Sequence, residues 1–450
     1  MKKSRFCIIW VILLLLIIRL SISAFPYDNS YPYGFSSLAI DQAADNNFLL
    51  QEWEEWKRTR ITENGARGFK RVQRSAEDNY DTVSEGMAYG LLFSVYFNEQ
   101  ELFDDLYSYV KLYLNNNGLM SWHIDANGNV VGTGGYGSAT DADEDIALAL
   151  IFAHKVWGSS PKFNYEEEAR TFLTNLYNHC VEPGTYVLKP GDSWGGSNVT
   201  NPSYFAPAWY KIFADFSGNS DWLKAADKCY EIIEKVKNHN GGTGLVPDWC
   251  TAEGRQAQGQ GYDFTYDAIR YPWRTAIDYS WFGDERARNN CNLINAFFKN
   301  IGAGNIVDGY SITGNVIGSY HNAAFVSMVA ASSMTGYDLD FARELYAENK
   351  KVKDSGDFYS YYGNCLRLFA LLYTTGNFPN LYSNGGDDII PGDIDGNGTV
   401  NSIDYVLLRR YILGIISDFP TDKGFQAADL NRDTLVNSLD YSLLRRTLTQ

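Results

Sequence analysis

Three acidic residues stand in settings that suit proton transfer. Glu85 lies in Ser84-Glu85-Gly86-Met87-Ala88-Tyr89-Gly90, a carboxylate among small and apolar neighbours. Desolvation there raises its proton affinity and keeps it protonated, as a general acid needs. Asp267 lies in Tyr266-Asp267-Ala268-Ile269-Arg270. Arg270 is close enough to hold it ionised, which suits a base that activates water. Asp141 opens an acidic run, Asp141-Ala142-Asp143-Glu144-Asp145, just ahead of an apolar helical stretch. Each also has a purely structural use: Asp141 as a helix N-cap, Glu85 as a capping-box partner, Asp267 as half of a buried ion pair. His123, His154, His179, His239 and His321 show no metal-ligand spacing, and there is no G-x-S-x-G elbow, phosphate loop or dinucleotide fingerprint. Carboxylates among aromatics, without a cofactor motif, point to hydrolysis of glycosidic bonds.

A second constellation lies at the C-terminal end. Residues 393–411 (DIDGNGTVNSIDYVLLRRY) and 429–446 (DLNRDTLVNSLDYSLLRR) form an internal repeat. Oxygen-bearing side chains fall at loop positions 1, 3, 5, 9 and 12 of each: Asp393, Asp395, Asn397, Asn401 and Asp404, then Asp429, Asn431, Asp433, Asn437 and Asp440. Thr399 and Leu435 would each add a backbone carbonyl at position 7. This spacing wraps a chain around one Ca²⁺, which takes six to eight oxygens. Gly398 holds the sharp-turn position in the first loop and Thr434 replaces it in the second, which points to a weaker second site.

The elements that must position these groups are mostly helices. Asp145–Trp157 is apolar almost all round, as a helix buried on both sides must be, and so is Leu366–Thr374. Glu101–Leu114 and Trp222–Val236 are amphipathic at helical spacing. Repeated buried and half-buried helices over Phe25–Leu381 predict a closed helical array. Gly- and aromatic-rich loops such as Lys189–Tyr204 and Thr251–Tyr266 would build a groove on it.

Of the 450 residues, 45% are apolar and 20% charged, which excludes a disordered chain. The net charge of −16 argues against a nucleic-acid partner. Aromatics reach 15%, a surplus suited to stacking on sugar rings. At the N-terminus, Lys2, Lys3 and Arg5 precede the apolar run Phe6–Ile18, and small residues follow at Ser21–Ala24. That order predicts a cleaved secretory signal over residues 1–24, so that no membrane segment remains. Cys180, Cys229, Cys250, Cys291 and Cys365 then remain. They are odd in number and widely spaced, and are expected to be buried thiols.

The repeat resembles a type I dockerin, the module that plugs enzymes into cohesins on a cellulosome scaffold. In that family, residues at positions 10 and 11 and the downstream basic pair face the cohesin. Here these are Ser402, Ile403, Arg409 and Arg410, then Ser438, Leu439, Arg445 and Arg446. The near-identical halves imply two docking orientations. Ala139–Trp157 (ATDADEDIALALIFAHKVW) fits the signature of glycoside hydrolase family 8. The blocks DTVSEGMAYG (81–90), SWHIDAN (121–127), NPSYFAPAWY (201–210), TAIDYSWFGD (275–284) and YYGNCL (361–366) are also similar to the cellulosomal endoglucanases of that family.

The resemblance implies an all-α fold. Its division would be 1–24 signal peptide, 25–381 (α/α)6 barrel, 382–390 linker and 391–450 dockerin with two calcium sites. It further implies an inverting endo-β-1,4-glucanase that is monomeric when undocked and needs no catalytic cofactor. Glu85 would be the proton donor, Asp267 the base, and Asp141 the residue beneath the central sugar. Trp122, Trp194, Tyr204, Tyr266, Arg270, Tyr359 and Tyr362 match sugar-contacting positions. Pro272, beside the base motif, departs from the family pattern and bears on the stiffness of that loop. Xylanase and chitosanase activities use the same fold and carboxylates, and a non-catalytic glucan-binding protein could keep the fold as well.

Overall fold

The computed structural model describes residues 25–27, 31–355, 360–382, 390–396, 399–421, 423–431 and 435–448. The expected signal 1–24, Tyr359, Asn397, Gly398, Asp433, Thr434 and most of the expected linker lie outside the described residues.

Helices that are apolar around most of their circumference have to be wrapped by others, and the fold does this with two concentric rings. In chain order the helices are α1 (Gln42–Arg60), α2 (Ser84–Tyr96), α3 (Gln100–Leu112), α4 (Thr140–Trp157), α5 (Tyr165–Cys180) and α6 (Pro207–Ser217). They continue with α7 (Asp221–Lys237), α8 (Tyr271–Phe282), α9 (Glu285–Ile301), α10 (Ala323–Ser332), α11 (Leu339–Lys351) and α12 (Ser360–Thr374). The even-numbered helices pack side by side in sequence, from α2 on α4 through to α10 on α12. Phe369 of α12 closes the ring against Tyr89 and Phe93 of α2, with ring centroids 5.0 and 4.3 Å apart. Outside, α3, α5, α7, α9 and α11 lie against the inner helices they follow, and α1 lies against α12. This is an (α/α)6 barrel. Five inner helices, α2, α4, α8, α10 and α12, bury almost every side chain, whereas outer helices such as α3 and α7 bury one stripe.

Alternation of inner and outer helices makes the inner six run parallel, so that their N-termini share one end. The connections arriving there carry three short ribbons that the helical pattern did not reveal: β1 (Ile61–Thr62) with β2 (Arg71–Val72), β3 (Thr82–Val83) with β4 (His123–Ile124), and β5 (Asp263–Phe264) with β6 (Tyr310–Ser311).

The barrel centre is partly polar. Arg274 of α8 is fully buried and pairs with Glu144 at 3.1 Å and Asp145 at 2.8 Å, both on α4. Trp209 and Tyr210 of α6 donate to Asp145 and Glu144 at 2.7 and 2.8 Å. A buried pair of this kind stays in place because every charge has a partner. The five cysteines among the described residues are all buried and free, as expected from their spacing.

A second, small core is built from Ile394, Leu408, Ala428 and Leu444. It lies among α13 (Ser402–Ile412), α14 (Gly424–Ala428) and α15 (Ser438–Leu448). Residues at equivalent repeat positions meet there: Tyr405 stacks on Tyr441 with centroids 4.3 Å apart. Such self-pairing is what a two-fold relation between repeats produces.

Candidate active site and calcium loops

The N-termini of the inner helices converge on one guanidinium. Arg270 ends the short 3-10 turn Ala268–Arg270 that runs into α8, and its side chain is only 3% exposed. Its Nη1 donates to Glu85 Oε2 at 2.8 Å and to Asp141 Oδ2 at 2.5 Å. Its Nη2 donates to Asp267 Oδ1 at 2.9 Å and to Ser203 Oγ, ahead of α6, at 3.1 Å. Sequence spacing suggested a pairing of Arg270 with Asp267 alone; the fold makes it the shared counter-ion of all three carboxylates. Pro272 sits in the first turn of α8, where a missing N–H costs no hydrogen bond, so it stiffens the entry to that helix.

Asp267 does form the ion pair with Arg270 that its setting offers, but the other two carboxylates do not serve the structural purpose open to them in isolation. Asp141 does not cap α4 and Glu85 forms no capping box at the start of α2; neither helix has a side-chain cap bond. The acidic run after Asp141 divides its work: Asp143 accepts the Met120 N–H at 3.0 Å, and Glu144 and Asp145 take Arg274. Asp141 alone turns to the site. Its Oδ1 is buried and without a protein partner.

Exposure grades the three. The side chain of Asp141 is 5% exposed, Glu85 17% and Asp267 34%, so Asp267 is the one that meets water. Burial pushes Glu85 up to about 7; Arg270 opposes the rise, Asp141 adds to it, and the Tyr361 hydroxyl, donating to Oε1 at 3.0 Å, again opposes it. Burial also raises Asp267 above the ordinary carboxylate range, with Arg270 opposing and Asp248 and Asp141 adding. Arg270 therefore moderates the proton affinity of Asp267 without fully reversing it. One positive charge among three acids favours keeping one proton in the cluster, and the better-buried Glu85 holds it more tightly than Asp267. Bridged by one planar guanidinium, the nearest oxygens of Glu85 and Asp267 are at most about 8 Å apart.

Exposed aromatics flank the cluster. Trp122 is delivered beside Glu85 by the β3–β4 ribbon, its carbonyl accepting the Ser84 N–H at 2.9 Å. Trp194 stands exposed on the loop pinned by Asp192, which accepts from Ser138, Asn115 and Asn117. Tyr204 is buried beneath Arg270, whose guanidinium carbon lies 5.2 Å from its ring centroid. Tyr266 is exposed; its hydroxyl donates to Asp308 at 2.8 Å, and Tyr362 donates to its carbonyl at 2.5 Å. Ser203 and Tyr361, inside two of the blocks that carry the family resemblance, and Asp248 and Trp249, which no local motif marks, also belong to this end of the barrel. Trp249 sits between Trp194 and Tyr204, with ring centroids 5.6 and 6.2 Å away.

A model of the glycosyl hydrolases family 8 matches residues 23–376. The chain belongs to that family. It is therefore a glycosyl hydrolase, and a type I dockerin model matches residues 391–449. The chain is 61% identical to endoglucanase 2 of Ruminiclostridium josui over 86% of this chain and 85% of that protein. It is 60% identical to endoglucanase A of Acetivibrio thermocellus over 88% and 86%. Among solved structures, a β-1,3-1,4-glucanase from Paenibacillus sp. X4 superimposes with a TM-score of 0.73 at 29% identity, covering 79% of this chain and 98% of that one.

A type I dockerin binds calcium, and the residues of the first loop fit it. Carboxylate oxygens of Asp393, Asp395 and Asp404 lie within 4.8 Å of one another, the span of ligands sharing one ion about 2.4 Å away. Asp404 Oδ1 accepts the N–H groups of Ile394 and Asp395 at 2.7 and 3.1 Å, and Oδ2 accepts that of Asn401 at 2.8 Å. Asp440 repeats this pattern with Leu430, Asn431 and Asn437 at 2.9, 3.2 and 2.9 Å. Asn401 and Asn437 cap α13 and α15 through the Ile403 and Leu439 N–H groups, both at 2.8 Å. Ser402, Ile403, Arg409 and Arg410 on α13 are exposed, as are Ser438, Leu439, Arg445 and Arg446 on α15.

Proposed function

We propose that this chain is a secreted endo-β-1,4-glucanase that cuts internal bonds of cellulose and mixed-linkage β-glucan with inversion. The observation that carries the reading is Arg270 gripping three carboxylates of graded exposure between aromatic platforms. Glu85, protonated, gives its proton to the glycosidic oxygen as the bond to the anomeric carbon breaks. A water on the opposite face attacks that carbon and its proton passes to ionised Asp267. Two separate carboxylates, one protonated and one not, are what a single displacement requires. Asp141 holds the central sugar by offering its unpartnered Oδ1 to a hydroxyl. Trp122, Trp194 and Tyr266 supply faces for neighbouring rings; Tyr204, Arg270 and Tyr362 shape the floor between them, and Tyr359 is assigned to the same set from the family resemblance.

In this reading residues 25–381 are the catalytic barrel and 391–450 the docking module. Two calcium ions order its loops, and the exposed Ser-Ile and Ser-Leu pairs with their arginines meet a cohesin in either of two orientations. Signal 1–24 directs export; among the described residues no helix is long and apolar enough to cross a membrane. The relatives named endoglucanase support glucan over xylan or chitosan. The test is hydrolysis of soluble β-glucan, xylan and chitosan by the wild type and by Glu85→Gln. Glucan cleavage lost in the variant supports the reading. Preferred cleavage of xylan or chitosan, or retained activity in the variant, overturns it.

A further inference from the structure

Asp267 occupies the cap position of the 3-10 turn Ala268–Arg270, yet its own carboxylate makes no cap bond. Another residue does that work. Asp248 Oδ1 accepts the N–H groups of Thr265 at 3.2 Å and Ala268 at 2.8 Å, and its Oδ2 accepts the Thr265 hydroxyl. The N–H of Asp267 also points to this carboxylate. Asp248 is itself held from both sides. Its N–H donates to the Asp263 carbonyl of β5 at 2.8 Å, and Cys250 exchanges two backbone hydrogen bonds with Thr200 at 2.7 and 3.0 Å. One carboxylate thus gathers the donors on both sides of Asp267 and leaves the Asp267 side chain free to face Arg270 and water.

We propose that Asp248 is a positioning residue, aiming Asp267 at the attacking water by capping the turn that carries it. The proposal rests on the reading of Asp267 as the base. Asp248 also acts through its charge. Asp267 is faced by Arg270 on its own turn, Asp141 of α4, Glu85 of α2, Tyr204 ahead of α6 and Tyr362 of α12, and Asp248 adds a further negative charge from behind. That charge makes Asp267 a stronger base.

The experiment compares Asp248→Ala, Asp248→Asn and Asp267→Asn in the full chain, by kcat, KM and the pH profile of kcat/KM on soluble β-glucan. Asp248→Ala frees the turn, and kcat is expected to fall about 100-fold with KM within about twofold, since a misplaced reacting group costs about that much. Asp248→Asn keeps an oxygen acceptor for both N–H groups. It is expected to restore most of kcat while the acid limb moves to lower pH, because the charge that favoured protonated Asp267 is gone. If Asp248→Ala fails to fold, judged by circular dichroism, the pH profile of Asp248→Asn decides. An unmoved acid limb together with wild-type kcat in Asp248→Ala, or the unmoved limb alone where that variant does not fold, overturns the proposal, provided Asp267→Asn is inactive. An active Asp267→Asn overturns instead the reading of Asp267 as the base.

Discussion

Removing one hydroxyl tests the electrostatics of the proton donor. Tyr361 is buried and donates to Glu85 Oε1 at 3.0 Å, a bond that favours the ionised carboxylate. Tyr361→Phe keeps the ring and removes only the donor. A hydrogen bond to a charged group contributes about 1.5–3 kcal/mol, and about 1.4 kcal/mol corresponds to one pKa unit. Glu85 is mostly buried, so water makes good only part of the loss. From its value of about 7, Glu85 is therefore expected to rise by about one unit in the variant. The sign is therefore fixed: the alkaline limb of kcat/KM, which marks loss of the proton from the free enzyme's acid, moves to higher pH. At the optimum a weaker acid transfers its proton less readily, and kcat is expected to drop several-fold. The assay is kcat/KM on soluble β-glucan from pH 4 to 10. An alkaline limb that stays in place or moves to lower pH refutes both the bond's role and Glu85 as the donor.

Three further outcomes are expected. Arg274→Met strands Glu144 and Asp145 in the core without a counter-charge and should cost about 3–5 kcal/mol in denaturant unfolding. Trp194→Ala removes an exposed platform separated from Arg270 by Trp249 and Tyr204. It should raise KM on soluble glucan about tenfold, since a stacked aromatic contributes on the order of 1 kcal/mol beyond its buried area, and leave kcat nearly unchanged. Chelation of calcium should abolish cohesin binding, measured by calorimetry, without slowing hydrolysis of soluble glucan, because the calcium loops and the carboxylate cluster share no residue.

Much of the frame is legible along the chain because it follows from local periodicity. The apolar run from Asp145 to Trp157 is the body of α4, and Trp222–Val236 lies within α7. Repeat spacing marks the two proposed calcium loops because their proposed ligands are close in sequence. Glu85, Asp141, Asp267 and Arg270 can be singled out by type and neighbourhood, but their meeting on one guanidinium cannot. Arg270 lies 185 residues from Glu85 and 129 from Asp141, and only closure of the inner ring joins them. Tyr361, Trp249 and Asp248 escape for the same reason: a tyrosine after a serine, or an aspartate before a tryptophan, has no local signature of the carboxylate or turn it serves. The short ribbons, two residues per strand, are too brief for alternation to show.

Under the proposed function, hydrolysis is a single displacement at an internal bond, with Glu85 as acid and Asp267 as base. The most direct test is early-time proton NMR of the anomeric signals released from cellohexaose. Internal cleavage products are expected, whose new reducing ends appear first as the α-anomer and then equilibrate. First appearance of the β-anomer would mean retention through a covalent intermediate, and would contradict the roles given to both carboxylates.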